Sequence, residues 1–271
     1  MAKNHMAQFR VEPRKRVQLA QRDPRDASAF PDREAAETRS KKDAETINAW
    51  QDKLFAERKR ALLVVLQGTD TSGKDGTIRH VFNDTGPLGV TVTSFGRPSE
   101  EELAHDYLWR VHLACPKRGT IGIFNRSHYE DVLVGRVRKL APLKDIEARY
   151  EQINAFEKTL AENGTTILKF MLHISRKEQA ERLQERLDEP DKRWKFDPRD
   201  LEERKLWDQY QAAYELMLNK TSTSWAPWYV VPADRKWARN AAIAGIVRET
   251  LEVMAPKYPK PDWNPKDFKV D

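Results

Sequence analysis

The chain has 271 residues, with 48 Lys and Arg against 42 Asp and Glu and a formal net charge of +6. Its single cysteine, Cys115, excludes an internal disulfide framework, and no apolar run is long enough to span a bilayer. The start, MAKNHMAQFR, lacks the apolar segment of a secretory signal, so the sequence predicts a cytoplasmic protein of one large or two small domains. The mild positive excess suits an anionic partner, whether nucleic acid, nucleotide or inorganic polyanion.

Residues 1–31 are polar, basic and punctuated by Pro, and read as an arm lying on the body. Residues 32–59 contain no Gly or Pro and are rich in Ala, Glu, Lys and Arg, which predicts a helix. The run ALLVVLQ (61–67) predicts a buried strand, followed by a glycine loop and a helix to about Asp84. GVTVTSF (89–95) is β-branched and strand-like, and Ser99 with Glu102 forms a capping box for a helix through about Ala114. GTIGIFN (119–125) is the next strand, after which Ser127 with Glu130 is expected to open a short helix. Pro142 opens a long helix that stops before Gly164, and TTILKFMLHI (165–174) is a strand. Ser175 with Glu178 caps a helix ending near Asp188, and a basic, Pro-containing loop covers 188–200. A helix to about Asn219, a strand at 226–233 and a helix from Asp234 to Met254 complete the body. This alternation implies a mostly parallel sheet flanked by helices, with ligands at the carboxyl ends of its strands.

Three segments carry chemistry. GTDTSGKDG (68–76) has the G-x-x-x-x-G-K spacing of a phosphate-binding loop between a strand and a helix. Gly68, Thr71, Ser72, Gly73, Asp75 and Gly76 would wrap phosphate, and Lys74 adds a mobile positive charge. Asp75 stands where such loops place a metal-holding Ser or Thr, and is expected to turn toward helix-terminal N–H groups or a cation. Asp70 is the better metal candidate, the alternative being a turn-stabilising bond to backbone. In FNRSHYEDVLVGRV (124–137), Arg126 can grip phosphate oxygens in a fork. Glu130 is either an acceptor-site carboxylate or the reciprocal half of the cap on Ser127. His128 has no evident acid–base partner and reads as a packing or hydrogen-bonding residue. In the third segment Arg182 and Arg186 share a helix face, and Lys192, Arg193 and Lys195 crowd the loop where nucleotide-type kinases carry a mobile lid.

Together these segments resemble the polyphosphate kinase 2 family, over about Ala61 to Met254. The resemblance rests on G-x-D-x-x-G-K-D-G at Gly68–Gly76, GRPSEEELAHDYLWR at Gly96–Arg110, FNRSHYEDVL at Phe124–Leu133, RWKF at Arg193–Phe196 and APW at Ala226–Trp228. It implies an α/β P-loop kinase core resembling thymidylate kinase, with a helical lid, and phosphoryl transfer between inorganic polyphosphate and nucleotides with Mg²⁺ or Mn²⁺. By position, the resemblance makes Asp70 the metal-binding loop carboxylate, Lys74 the phosphate-binding lysine and Arg126 the arginine of the second motif. The diphosphate-using subgroup commonly carries Asp-Arg-Ser-x-Tyr-Asn there. Asn125 and Glu130 depart from it and resemble the subgroup, often called class III, that phosphorylates both mono- and diphosphates. Asn125 is then a weaker metal ligand than a carboxylate, and Asn125, Glu130 and Arg186 are the candidate acceptor residues.

The expected organisation is an arm and helix over 1–59, a P-loop domain over 60–254 with a lid at about 182–205, and a tail over 255–271. The expected reaction is reversible, direct in-line transfer from polyphosphate to AMP or ADP. The expected partners are polyphosphate and adenine nucleotides, with neither membrane nor specific nucleic acid, in a homodimer or homotetramer. Two other readings stay open at this level: an ATP-dependent small-molecule or nucleotide kinase, separated by a donor-swap assay, and a basic nucleic-acid-binding module, separated by oligonucleotide binding without transfer.

Overall fold

A computed structural model of the chain describes residues 7–270. Five strands form one all-parallel sheet: β1 (Ala61–Gln67), β2 (Val90–Ser94), β3 (Ile121–Asn125), β4 (Thr165–His173) and β5 (Trp228–Pro232), in the order β2-β3-β1-β4-β5. The helices are α1 (Arg33–Glu57), α2 (Lys74–Val81), α3 (Glu100–Leu103), α4 (Trp109–Ala114), α5 (Glu130–Val137), α6 (Leu143–Glu162), α7 (Arg176–Asp188), α8 (Arg199–Lys205), α9 (Trp207–Thr221) and α10 (Lys236–Met254). The mostly parallel α/β architecture expected from the sequence is present.

The central strand explains the two layers. All seven residues of β1 are buried, as a strand covered on both faces requires. Leu62, Val64 and Leu66 face one core with Ile47 and Leu54 of α1, Val81 of α2 and Ile243 and Val247 of α10. Leu63 and Val65 alternate to the other core, with Leu133 of α5, Ile153 of α6 and Met217 of α9. Val11, Val17 and Leu19 of the N-terminal arm belong to that second core. The arm is held through backbone: Val11 N donates to Trp228 O at 2.8 Å, and Arg10 makes an isolated antiparallel bridge to Tyr229, covering the outer edge of β5. At the opposite side β2 is the other edge strand, partly to fully exposed along its length.

Three expectations change. The helix predicted from Ser99 to Ala114 is two pieces. The Ser99–Glu102 capping box forms with both reciprocal bonds, but Asp106 then accepts from Leu108 N at 2.9 Å through its side chain. That local turn competes with the helix and interrupts it. The Ser127–Glu130 cap does not form: α5 has no side-chain cap, and Ser127 Oγ instead accepts from Tyr129 N at 3.2 Å. The loop expected at 188–200 contains a 3-10 turn at Arg193–Lys195 and the start of α8.

Candidate active site

β1 and β3 are neighbours in register, with Leu66 opposite Asn125, so the loops that follow them open into one crevice. Arg126 N donates to Leu66 O at 3.0 Å and ties the two strand ends together.

The phosphate loop after β1 needs positive φ at Gly68 (+151°), Thr71 (+63°) and Gly73 (+101°). At Gly73 a Cβ would run into the guanidinium of Arg239, so this position takes glycine both for its backbone and for lack of space. No side chain caps α2, which leaves its leading N–H groups open to the loop, as an anion site requires. The buried hydroxyls of Thr69, Thr71, Ser72 and Thr77 have no hydrogen-bond partner in the protein. Lys74 is buried, and its ammonium donates to the carbonyls of Gly68 at 2.7 Å and Thr69 at 3.2 Å. Burial, with repulsion from Arg126 adding to it, pushes its pKa down to about 8.

The loop is clamped from behind. Arg182 Nη1 donates to Thr71 O at 2.9 Å and Ser72 O at 3.3 Å, and its Nη2 to Ala233 O and Asp234 O at 2.8 and 2.9 Å. Arg239 Nη1 adds a bond to Ser72 O at 3.1 Å, and Gln179 donates to Asp70 O at 3.3 Å. Arg182, expected in the lid, is therefore a buried strut of the loop. It lies on the same helix as Arg186, but their side chains have different tasks.

On the other side of the crevice, Arg126 adopts φ +62° and lies between two carboxylates. It pairs with Asp70 and, at 3.1 Å, with Glu130. Glu130, then Asp70, hold its guanidinium firmly in the charged form against the cost of burial. With the Gln67 amide oriented to satisfy both its ends, Gln67 donates to Glu130 Oε1 at 3.0 Å. Asn125 Nδ2 donates to Asp75 Oδ1 at 2.7 Å, so Asp75 faces the second segment rather than helix-terminal N–H groups. Beneath this segment a fully buried network holds the turn. Lys169 Nζ donates to Glu157 Oε2 at 2.6 Å, Tyr129 Oη at 2.7 Å and Thr221 O at 2.8 Å. Tyr129 Oη donates to Glu157 Oε1 at 2.7 Å, and His128 Nε2 lies 3.4 Å from the same oxygen, in the hydrogen-bonding role its sequence context suggested.

The segment expected to be a lid differs from its reading as a bare basic patch. Lys192 pairs with Glu185 and Glu189, and Arg193 Nε donates to Leu187 O at 2.9 Å. Arg186, expected at the acceptor, donates to Lys195 O at 2.9 Å and pairs with Asp200 at 3.2 Å. Burial, with the negative charge of Asp70 adding to it, raises the pKa of Asp200 to about 6. Asp200, Arg239, Gln179 and the Lys169–Glu157 pair escape sequence reasoning. Only Lys169 leaves a signal, a charge in the middle of an apolar strand.

Among the described residues no group of three or more His, Cys, Asp or Glu could hold a metal alone. Asp70, Asp75 and Asn125 instead bring a few oxygen atoms to the mouth of a phosphate loop. That set fits Mg²⁺, which takes one or two carboxylates and completes its shell with water and substrate phosphates.

The family described as polyphosphate kinase 2 matches residues 31–259. An AMP/ADP-polyphosphate phosphotransferase of Meiothermus ruber is 53% identical over 258 residues, covering 95% of this chain and 97% of that protein. An ADP-polyphosphate phosphotransferase of Rhodopseudomonas palustris is 40% identical, over 93% and 92% of the two chains. The crystal structure of polyphosphate kinase 2 from Arthrobacter aurescens TC1 superposes with a TM-score of 0.94 at 40% identity, covering 98% of this chain and 95% of that one. With its loop carboxylate set against the arginine of the second strand end, and with this likeness extending through nearly all its length, the chain belongs to the polyphosphate kinase 2 family.

Proposed function

We propose that this protein is a polyphosphate:nucleotide phosphotransferase that moves the terminal phosphoryl group of inorganic polyphosphate to AMP and to ADP, reversibly and by direct in-line transfer. The contact of Asp70 with Arg126 carries this reading, because it joins the phosphate loop to the second segment at one point. The likeness to the Meiothermus ruber AMP/ADP enzyme supports the choice of acceptors.

An acceptor phosphate is already anionic near neutral pH, so the site needs no strong general base. Its task is to hold two anions in line and stabilise the charge that spreads over the transferring group. Lys74 leaves its loop carbonyls for the donor phosphate. Arg126, fixed by Glu130, presents its remaining N–H groups to the same oxygens, and Glu130 keeps it oriented when Asp70 changes partner. A Mg²⁺ or Mn²⁺ ion held by Asp70, with Asn125 as an accessory oxygen ligand, would neutralise charge on the phosphate oxygens when bound. The Asn125–Asp75 bond leaves one negative charge fewer near the acceptor than an Asp at 125 would, which suits two acceptor lengths.

A cytoplasmic location and a homo-oligomeric assembly belong to the same proposal; no described helix is long and apolar enough to cross a membrane. The test is a phosphate-balanced assay of polyphosphate with AMP and, separately, ADP in enzyme freed of nucleotide and adenylate kinase. ADP from AMP and ATP from ADP are expected. Conversion of ADP alone would leave a diphosphate kinase, and transfer only from ATP would replace the donor.

A further inference from the structure

β1 ends on the one polar side chain of an otherwise apolar strand. Gln67 is fully buried, and a buried amide is costly unless both its ends find partners. Those partners decide which way the amide faces. With its oxygen toward Ser127 it accepts from Ser127 N at 3.1 Å and from the Ser127 hydroxyl at 3.0 Å, and its NH2 group donates to Glu130 Oε1 at 3.0 Å. Turned the other way, the amide oxygen would face a carboxylate oxygen and the NH2 group a backbone N–H.

The two ends of this amide have different tasks. The carbonyl end is held by the frame: Ser127 is itself buried, its Oγ accepts from Tyr129 N at 3.2 Å, and Tyr129 Oη is anchored between Lys169 and Glu157. The amino end points at a charged pair. Glu130 gives one oxygen to each neighbour, Oε1 to Gln67 and Oε2 to Arg126 Nη1 at 3.1 Å. A Glu side chain on the first turn of a helix has several rotamers open to it, and these two bonds together leave one.

Arg126 has two carboxylate partners, Asp70 and Glu130. When Asp70 changes partner, Glu130 alone fixes the guanidinium, and Glu130 takes its direction from Gln67. We propose that Gln67 is a positioning residue for the phosphoryl transfer: acting through Glu130, it aims the Arg126 guanidinium at the transferring group without itself touching substrate. This rests on the proposed phosphotransferase reaction and adds to it a residue on the buried side of the site. A donor already aimed need not reorient as charge develops, so the aim of Arg126 counts in the transition state more than in substrate binding.

The bridge needs an NH2 donor on one side and a carboxylate on the other, and its hydrogen bonding is indifferent to which residue supplies which. Both contacts from Ser127 to position 67 are donors, which a carboxylate accepts as an amide oxygen does. An amide at position 130 still offers an oxygen to Arg126 and an NH2 group to position 67.

The test compares Gln67→Met, Gln67→Glu and the exchanged double variant Gln67→Glu with Glu130→Gln, by thermal melts and by steady-state kinetics well below each melt. Gln67→Met is close in shape and deletes the bridge. Its kcat should fall roughly tenfold to a hundredfold, the cost of a misplaced catalytic group. KM for AMP and for polyphosphate should move by less than about threefold, as for an interaction used in the transition state. Gln67→Glu sets two carboxylates in contact and should be at least as damaging. The double variant should recover most of what Gln67→Glu loses, in kcat and in Tm, because the two sites are coupled. A kcat within about twofold of normal in Gln67→Met sinks the proposal, as does a loss carried by KM alone. So does a double variant no more active than Gln67→Glu. If Gln67→Met does not fold, the exchange decides alone. The melts need no turnover: a protein that transfers nothing from polyphosphate, yet recovers its Tm on exchange, overturns the proposed reaction and leaves the bridge. An active enzyme whose kcat does not recover on exchange does the reverse.

Discussion

Arg182→Ala tests whether the phosphate loop stands by itself or is held from behind. The side chain is 7% exposed and makes five hydrogen bonds, four of them to backbone carbonyls of Thr71, Ser72, Ala233 and Asp234. At roughly 1.5 kcal/mol for each bond from a charged donor, those four amount to about 6 kcal/mol. Water entering the vacated space recovers part, so the expected loss is about 3–5 kcal/mol, the range for removing one side of a buried charged contact. At about 2–4 °C per kcal/mol for a domain of this size class, Tm should fall by about 10 °C. The functional half is more specific. With Thr71 and Ser72 untethered, KM for polyphosphate should rise several-fold below the new Tm, while KM for AMP changes less. Arg182→Lys keeps a charge but loses the fork, and should recover only part of either effect. The double variant with Arg239→Met should lose less than the sum, because both arginines share the Ser72 carbonyl. Thermal melts and steady-state kinetics at 25 °C suffice. A Tm within 2 °C of normal, by the same scale, together with an unchanged KM for polyphosphate, would refute the idea of a strut.

Lys74 gives a pH signature. Its amine titrates near 8 in the unliganded loop, so kcat/KM for polyphosphate should fall as pH rises through about 8, and Lys74→Arg should remove that limb; a profile flat to pH 10 contradicts the assignment. The stability of the unliganded protein moves the other way. The folded pKa lies below the usual 10.5, so between about 8 and 10.5 the unfolded chain binds more protons, and this group makes stability rise with pH across that window. Asp70→Ala should cut turnover by about 10²–10³-fold without unfolding the chain, and near-normal activity would remove Asp70 from the mechanism. Asn125→Asp places a second carboxylate where the amide now donates to Asp75. It should lower the metal concentration needed for half-maximal rate and shift the AMP-to-ADP preference more than it shifts KM for polyphosphate, measured by metal titration with each acceptor.

The strands were legible because a parallel sheet buried on both faces writes itself as short continuous apolar runs, as in ALLVVLQ. The phosphate loop was legible because its chemistry is local, set by glycine positions and one lysine within nine residues. Tertiary pairing was not. Glu130 satisfies the spacing of a capping box, yet Arg126, four residues back and turned by its positive φ, takes the carboxylate, and Ser127 turns to Gln67 and Tyr129. Arg182 reads as one more charge on a basic helix face until the fold brings four carbonyls to it. Arg239 is 167 residues from the carbonyl it holds, and Asp200 meets the charge of Asp70 only through the fold. Sequence spacing ranks neighbours along the chain; these roles depend on neighbours through space.

The bridge between Arg10 and Tyr229 makes the two sides of the sheet unequal. A strand edge is a valence, a row of backbone donors and acceptors able to add another strand. The arm takes up part of this valence at β5, through the Arg10–Tyr229 bridge and the Val11–Trp228 bond, while β2 keeps its own. A sheet with a single open edge is a monofunctional unit: β2 can meet the β2 of another copy across a two-fold axis, and that union uses both open edges at once. Growth by edge addition then stops at a pair. A chain deprived of its arm would become bifunctional, so the arm stands in the position of an end-group on the sheet.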